Sequence, residues 1–319
     1  REVTARGWIV INALVLVLAR PALTIERPLL EGQSVVEQVI AANVAMIEVL
    51  TLIALVTWLT RGRDRQTISI SLDPGAAARR ETLVLVSWGV LVIFGGIALG
   101  QAMETAPIGF HLAGTLFGVH DHDVVTPGVA LAWAAYNLAA YAVVPYLWVR
   151  RCDGGLPLRS LCRRGDLLII LVVMVIEVVV QLSAVSAGML DLGSRQLLIG
   201  APATFALYLA GTVLPTTIFV QALLVPRFMA LTGSVPATVV LGGLADAAVH
   251  ASDSWMVMTA PEPVVMSLGF LVLTYFGPGI IKTVMTVRTG NAWVHTWGYH
   301  AFAPHVLIDT PLIVRIFGI

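Results

Sequence analysis

Histidines with acidic neighbours are the residues of this chain best suited to chemistry. His250 follows Asp246 by four residues, and His305 precedes Asp309 by four, so each pair would share one face of a helix. A carboxylate bonded to an imidazole fixes its tautomer and raises its basicity. The pairs therefore predict proton transfer or metal binding. For His250, a solvated helix end with Asp253 at a membrane interface is the alternative.

A metal site is one interpretation of these histidines. His295, His300 and His305 follow one another in steps of five residues, and each step turns a helix by about 140°, so one helix cannot point all three the same way. Ligands would have to come from several segments, including the stretch GVHDHDVVTPG, for which a solvated acidic turn is the alternative. Zinc, copper or iron would suit nitrogen and carboxylate ligands. The candidate metal ligands are His250, His305, Asp309, His120 and His122.

Glu177 is a further candidate because it lies in the middle of a long apolar segment, with Gln181 on the same helical face. A carboxylate inside a membrane costs a few kcal/mol unless it is paired or faces a cavity. Such a residue is a functional candidate by default.

The elements that must position these residues are membrane helices. The chain has 319 residues, of which 58% are hydrophobic and 12% charged, whereas a soluble domain has about 25% charged residues. The composition predicts an all-α, polytopic transmembrane bundle in a lipid bilayer, with about eight or nine spans. The formal net charge of zero gives no indication of nucleic-acid binding. The apolar segments lie at about 7–25, 39–59, 82–100, 128–148, 166–187, 197–225, 235–250, 264–286 and 291–309.

Arginine placement predicts how these segments are oriented. Residues 60–81 and 149–165 each contain five arginines, so both loops should be cytoplasmic. Nine alternating spans then give a multi-pass cell-membrane protein with its N-terminus in the cytoplasm and its C-terminus outside. Within the third segment, Gly96 and Gly100 are spaced for the close approach of another helix.

Three stretches of the C-terminal half resemble, in order, the motifs of the CAAX protease and bacteriocin-processing (CPBP, or Abi) family of intramembrane endopeptidases. They are PTTIFVQALLVPRF, LGGLADAAVH and TGNAWVHTWGYHAFAP. The second ends in His250, and the third contains the family's final histidine as His300. The resemblance implies a CPBP-like transmembrane core in residues 128–319 and an N-terminal transmembrane extension in residues 1–127.

The departures from the family pattern remove its acid pair. Thr216 and Thr217 stand where the family has two adjacent glutamates, and Gln221 stands at its arginine. Asp246 replaces the aromatic residue of the second motif, and Pro304 falls where the family has Asn or Asp. In the family a glutamate is thought to activate water, and a threonine cannot act as a carboxylate base.

The resemblance therefore favours a proteolytically inactive, pseudoenzyme-like protein. It would act as a binding or scaffold subunit for another membrane protein, a lipid or a peptide, and no cofactor is predicted for it. One alternative is an active intramembrane endopeptidase, in which Glu177 or Asp246 supplies the carboxylate beside His250 and His300. Another is a membrane subunit that holds a divalent metal or a cofactor through histidine and aspartate.

Overall fold

The computed structural model describes residues 2–18, 34–62, 75–112, 125–152, 158, 164–184, 187–256 and 260–319. Every regular element in these ranges is a helix, and no strand occurs in them, which confirms the predicted all-α class. The helices before residue 200 are α1 (Glu2–Leu18), α2 (Val35–Leu59), α3 (Ala76–Ala102), α4 (Pro127–Asn137), π1 (Leu138–Val143), α5 (Val144–Cys152), α6 (Arg164–Ala184), α7 (Ala187–Leu190) and α8 (Ser194–Tyr208). They are followed by π2 (Leu209–Val213), π3 (Thr216–Leu224), α9 (Val225–Thr232), α10 (Val235–Ala248), α11 (Pro261–Thr289), α12 (Trp293–His295), π4 (Thr296–His300), π5 (Ala303–Leu307) and α13 (Ile308–Phe317).

Local sequence signals explain where the main helices begin and end. α2 begins at a capping box, because Glu37 N donates to Ser34 Oγ (3.2 Å) and Ser34 N donates to the Glu37 carboxylate (2.6 Å). α11 ends at Gly290, whose φ of 66° is a left-handed conformation that glycine adopts without strain.

Six helical stretches of the described chain are long and apolar enough to cross a membrane, judged by length and composition. They are Val35–Leu59, Ala76–Ala102, Pro127–Arg150, Gly165–Ser183, Ser194–Thr232 and Pro263–Thr289. They coincide with six of the nine predicted segments and are compatible with an integral membrane protein in a lipid bilayer. The first and seventh predicted segments correspond to shorter apolar helices, Arg6–Val17 and Val235–Ala248.

The ninth predicted segment is not one continuous helix. It divides into α12, π4, π5 and α13, with an interruption at Ala301 and Phe302, just before Pro304. Proline lacks a backbone N–H and clashes with the preceding turn, so a regular α-helix is disfavoured there. The interruption distributes the histidines of this segment over separate short elements.

Close helix packing joins the two halves of the chain. α10 and α11 approach each other where glycines face: a Cβ at Gly279 would lie 2.8 Å from Gly243 Cα. α1 and α2 pack along α11, and α3 packs against α9, where Arg227 pairs with Glu81 at 2.7 Å. The N-terminal helices therefore form part of the same bundle as the helices that carry the predicted motifs.

Candidate functional site

A non-helical segment that returns into the bundle after α3 contributes to the site. Ile108 N donates to Gly96 O (3.0 Å), and a Cβ at Gly96 or Gly100 would collide with the backbone oxygens of Ile108 or Ala106. We expected another helix to approach these glycines, but this segment takes the space instead. It carries His111 inward, and the sequence analysis did not identify that histidine as a candidate.

His250 and His111 are joined through one buried carboxylate. Asp253 Oδ2 lies 2.9 Å from His250 Nδ1 and accepts a hydrogen bond from the Tyr275 hydroxyl (3.3 Å). Asp253 Oδ1 accepts from the backbone N–H groups of Phe110 (2.7 Å) and His111 (3.0 Å). The Tyr275 hydroxyl oxygen lies 3.2 Å from His111 Nδ1. Only 1% of Asp253 is exposed, so the solvated helix end considered as an alternative does not occur here.

Burial sets the charge states within this network. It lowers the pKa of His111 to about 3, with a smaller contribution in the same direction from His250. It raises the pKa of Asp253 to about 6, against the opposing effects of His111 and the hydrogen bonds that Asp253 accepts. At neutral pH the His111 ring is therefore neutral, and the carboxylate is mostly ionised.

A second histidine–carboxylate pair lies beside the first. His305 Nδ1 is 3.2 Å from Asp309 Oδ2, as their four-residue spacing predicts, and both side chains are buried. The His305 ring stacks on Tyr208, with ring centres 4.7 Å apart, and lies 5.5 Å from the His111 ring. His305 Nε2 is buried and has no hydrogen-bond partner.

His300 and His295 lie further along the same succession of rings. The ring centres are 5.1 Å apart for His305 and His300, and 6.2 Å apart for His300 and His295. His300 Nδ1 is buried without a hydrogen bond, and neither ring nitrogen of His295 has one.

A cavity of about 540 Å³ adjoins the histidines. Its walls come from α2, α6, α11 and the segment from π4 to α13. His111, His250, His300 and His305 all line it, whereas His295 does not. The structure thus brings four histidines to the wall of one cavity, together with the predicted partner of His305, Asp309.

The predicted carboxylates have other neighbours. Asp246 pairs with Lys282, whose Nζ lies 3.0 Å from Oδ2, and within the described chain it makes no bond to His250. α10 ends at Ala248, so the four-residue helical spacing does not extend to His250. Glu177 lines the cavity beside Glu48 of α2, and among the described residues it bonds neither His250 nor His300.

The threonine pair lies in a closed part of the bundle. Thr217 Oγ1 donates to Val213 O (2.7 Å) and lies 2.8 Å from Thr296 Oγ1. Gln221 Nε2 donates to Thr283 Oγ1 (3.3 Å), while the buried Thr216 hydroxyl has no partner. None of the three motif residues Thr216, Thr217 and Gln221 lines the cavity. His120 and His122, the predicted loop ligands, lie outside the described residues.

Comparison of the chain with protein-family models, with curated proteins and with solved structures found no match. The resemblance carried by the three sequence motifs therefore stays a proposal.

Proposed function

We propose that this chain is an integral membrane protein that binds an amphiphilic molecule in the cavity between α2, α6 and α11. The observation that carries the proposal is the character of the cavity walls. Histidines and carboxyl groups line its inner part, while Val44 of α2 lines it with 60% of its surface exposed, next to the exposed apolar face of that helix. A ligand with a polar head and an alkyl chain matches both environments.

The charges around the cavity favour an amine head group. Glu48 and Glu177 lie side by side on its wall, and Lys282 is already paired with Asp246. Two neighbouring carboxyl groups repel each other when both are ionised, and a cation between them would relieve that repulsion. The proposed ligand class is therefore a long-chain amine or a lipid with an amine head.

Binding of a labelled long-chain amine to the detergent-purified protein tests this proposal. The probe carries a nitrobenzoxadiazole group at the end of its alkyl chain, and the fatty acid with the same label is compared with it. We expect saturable binding with a preference for the amine, and loss of that preference in Glu177→Gln. Ala45→Phe, which fills the cavity, should block binding, whereas Ile47→Phe on the exposed face of α2 should not.

Equal binding by both variants would mean that the probe only coats the apolar surface, and the proposal would then be wrong. Displacement of the amine by a transmembrane peptide would instead make another membrane protein the occupant of the cavity.

We further propose that residues 128–319 form a CPBP-like core without the family's glutamate mechanism. The Thr217–Thr296 contact supports this kinship, because it joins the first and third motif-like stretches. Packing of π3 against α10 adds a contact between the first and second stretches. Cleavage of a membrane peptide that depended on Thr216 or Thr217 would contradict the proposal.

An intramembrane endopeptidase is the second candidate, and a different observation favours it. His250 is bonded to Asp253 at the cavity wall, which is an arrangement suited to a general base. The carboxylate would then be Asp253, rather than Glu177 or Asp246. Incubation of the purified protein with a labelled membrane peptide tests this candidate, which requires cleavage that stops in His250→Ala.

The proposed topology keeps nine crossings, with the N-terminus in the cytoplasm. The arginine-rich segments around residues 60–81 and 149–165 support it. Single cysteines introduced at Arg61 and Glu104 into a chain without its two natural cysteines should be labelled from opposite sides of the membrane.

A further inference from the structure

Two imidazole rings and one carboxylate converge beside the cavity. His111, His250 and Asp253 each offer a nitrogen or oxygen atom that lies within 4.8 Å of the atoms offered by the other two. His111 lies on the segment after α3, whereas His250 and Asp253 lie in the turn after α10, so distant parts of the chain supply the three groups. Two histidines and one carboxylate are a ligand set that zinc and iron(II) accept in proteins.

The separations within this cluster fit a single ion. Two ligand atoms bound to one tetrahedral ion at about 2.0–2.2 Å lie about 3.3–3.6 Å apart. His250 Nδ1 and Asp253 Oδ2 are 2.9 Å apart, which is already close to that value. Because no two of the three ligand atoms are more than 4.8 Å apart, rotation of the side chains is enough to bring a ring nitrogen of His111 onto the same ion.

Neighbouring groups hold the carboxylate and one ring in place. Asp253 Oδ1 accepts from the backbone N–H groups of Phe110 and His111, and Oδ2 is the oxygen that meets His250 Nδ1. The His250 ring stacks on Tyr275, with ring centres 3.6 Å apart, and meets Phe110 edge to face at 4.9 Å. Carboxylates that bind metals are themselves hydrogen-bonded in this way, which fixes their orientation.

We propose that His111, His250 and Asp253 bind one divalent transition-metal ion, of the class of zinc or iron(II), at the cavity wall. The ion takes the place of the hydrogen between His250 Nδ1 and Asp253 Oδ2, and His250 then carries that hydrogen on Nε2, so the ring stays neutral. Three protein ligands leave a coordination position for water. Both imidazoles line the cavity from which that water comes. The assignment does not depend on the amphiphile proposal, because it rests on the three ligands alone.

His111 gives the ion a second way to reach the site. It is partly exposed, whereas His250 is only 2% exposed and Asp253 only 1%. It also lines a second cavity of about 300 Å³, whose wall includes Glu104 and Ser254. An ion that enters there reaches His111 without crossing the amphiphile cavity, and the Glu104 carboxylate on that wall attracts cations.

The proposed site differs from the ligand set expected from the sequence, with which it shares only His250. His305 and Asp309 bond each other, and neither belongs to the converging group found among the described residues. His111 and Asp253 take their place as ligands.

Metal content of the purified full-length protein is the test. The protein is prepared without a polyhistidine tag, stripped with a chelator, reloaded with Zn²⁺ or Co²⁺ and washed. Elemental mass spectrometry then measures the metal, and X-ray absorption spectroscopy counts its imidazole ligands. We expect one ion per chain with two imidazole ligands. His111→Gln and Asp253→Asn should each lose the ion in the wash.

Control variants at other histidines keep the result interpretable. His305→Gln changes a histidine of the same cavity wall, and His295→Gln changes a buried histidine that does not line the cavity. Each should still hold one ion per chain, as should the double variant His120→Ala/His122→Ala. Size-exclusion chromatography shows which variants fold. Since His111 is partly exposed, His111→Gln keeps the test decisive where Asp253→Asn does not fold.

Three results would overturn the assignment. One is an unmodified protein that elutes as a single species after reloading and holds no metal. Another is equal metal content in the unmodified protein and in folded His111→Gln. The third is an ion that His111→Gln retains and that His305→Gln or the double variant His120→Ala/His122→Ala loses, which would place the metal elsewhere.

Discussion

We call the region around Thr216, Thr217 and Gln221 the threonine side of the bundle, and the region around His250, His300 and His305 the histidine side. The side chains of both regions are buried, and both regions retain polar atoms without hydrogen bonds. On the threonine side these atoms are Thr216 Oγ1 and Gln221 Oε1, and on the histidine side they include ring nitrogens of His300 and His305. The difference is space, because the cavity adjoins only the histidines. An unsatisfied polar atom points to function only where a partner has room to enter, so this difference supports the proposal that ligands bind on the histidine side rather than on the threonine side.

Restoring the family's acid pair is the most severe test of this comparison. Thr216→Glu/Thr217→Glu would place two carboxylates at fully buried positions that do not line the cavity and have no free cation among the described neighbours. Each buried, unpaired charge costs several kcal/mol, so we expect no folded protein. The yield of the single species in size-exclusion chromatography measures the outcome.

The matched control for that variant is Thr216→Gln/Thr217→Gln, which adds similar bulk without charge. We expect it to be destabilised but recoverable. If the glutamate variant folds as well as the glutamine variant, water reaches the threonine side, and the contrast between the two sides fails.

The Asp246–Lys282 pair tests whether water reaches the buried charges near the cavity. Asp246 is fully buried and Lys282 is 4% exposed. Asp246→Asn should therefore destabilise the protein by about 3–5 kcal/mol, because an ammonium group is left without its partner. Chemical unfolding in detergent, followed by tryptophan fluorescence, measures the change.

The double variant Asp246→Asn/Lys282→Met removes both charges and should recover much of the lost stability. A small effect of Asp246→Asn alone would mean that water from the cavity solvates Lys282. The pair would then be more accessible to water than its burial implies.

The sequence predicts the helices of this protein better than it predicts its site. Long apolar runs determine the helices, and the four-residue step from His305 to Asp309 holds because both lie within one continuous helical stretch. The same step fails from Asp246 to His250, since α10 ends between them and His250 turns to Asp253 instead. Helical spacing is therefore informative only as far as the helix extends.

His111 shows a second limit of sequence reasoning. It lies on a non-helical segment with no periodic pattern, and it reaches the other histidines because Gly96 and Gly100 leave room for the backbone that precedes it. Small residues spaced by four predict a close approach, but they do not specify what approaches. A signal was nevertheless present, because His111 follows Gly100 by eleven residues and lies within the apolar stretch PIGFHLAG.

Removal of the Tyr275 hydroxyl tests the histidine side with a smaller expected loss of stability than Asp246→Asn. Tyr275→Phe should cost about 1–3 kcal/mol, because His111 Nδ1 loses its bond and Asp253 loses one of its donors. Tyr299→Phe is the matched control, since Tyr299 lines the same cavity but takes no part in this network. Thermal unfolding of both variants in the same detergent gives the comparison. Equal midpoints for the two variants would mean that the network contributes nothing to stability.

The smallest effects are expected at the two adjacent threonines, which differ only in their partners. Thr217→Val removes a hydroxyl that bonds Val213 O and Thr296, and it should destabilise the protein by about 1 kcal/mol. Thr216→Val removes a buried hydroxyl without a partner, so it should leave stability unchanged or raise it by up to about 1 kcal/mol. Both substitutions are nearly isosteric, and unfolding midpoints measured side by side would isolate the hydrogen bonds. If Thr216→Val is the more damaging change, the Thr216 hydroxyl has a partner of its own, such as a bound water. The threonine side would then be a binding site as well, and the contrast with the histidine side would disappear.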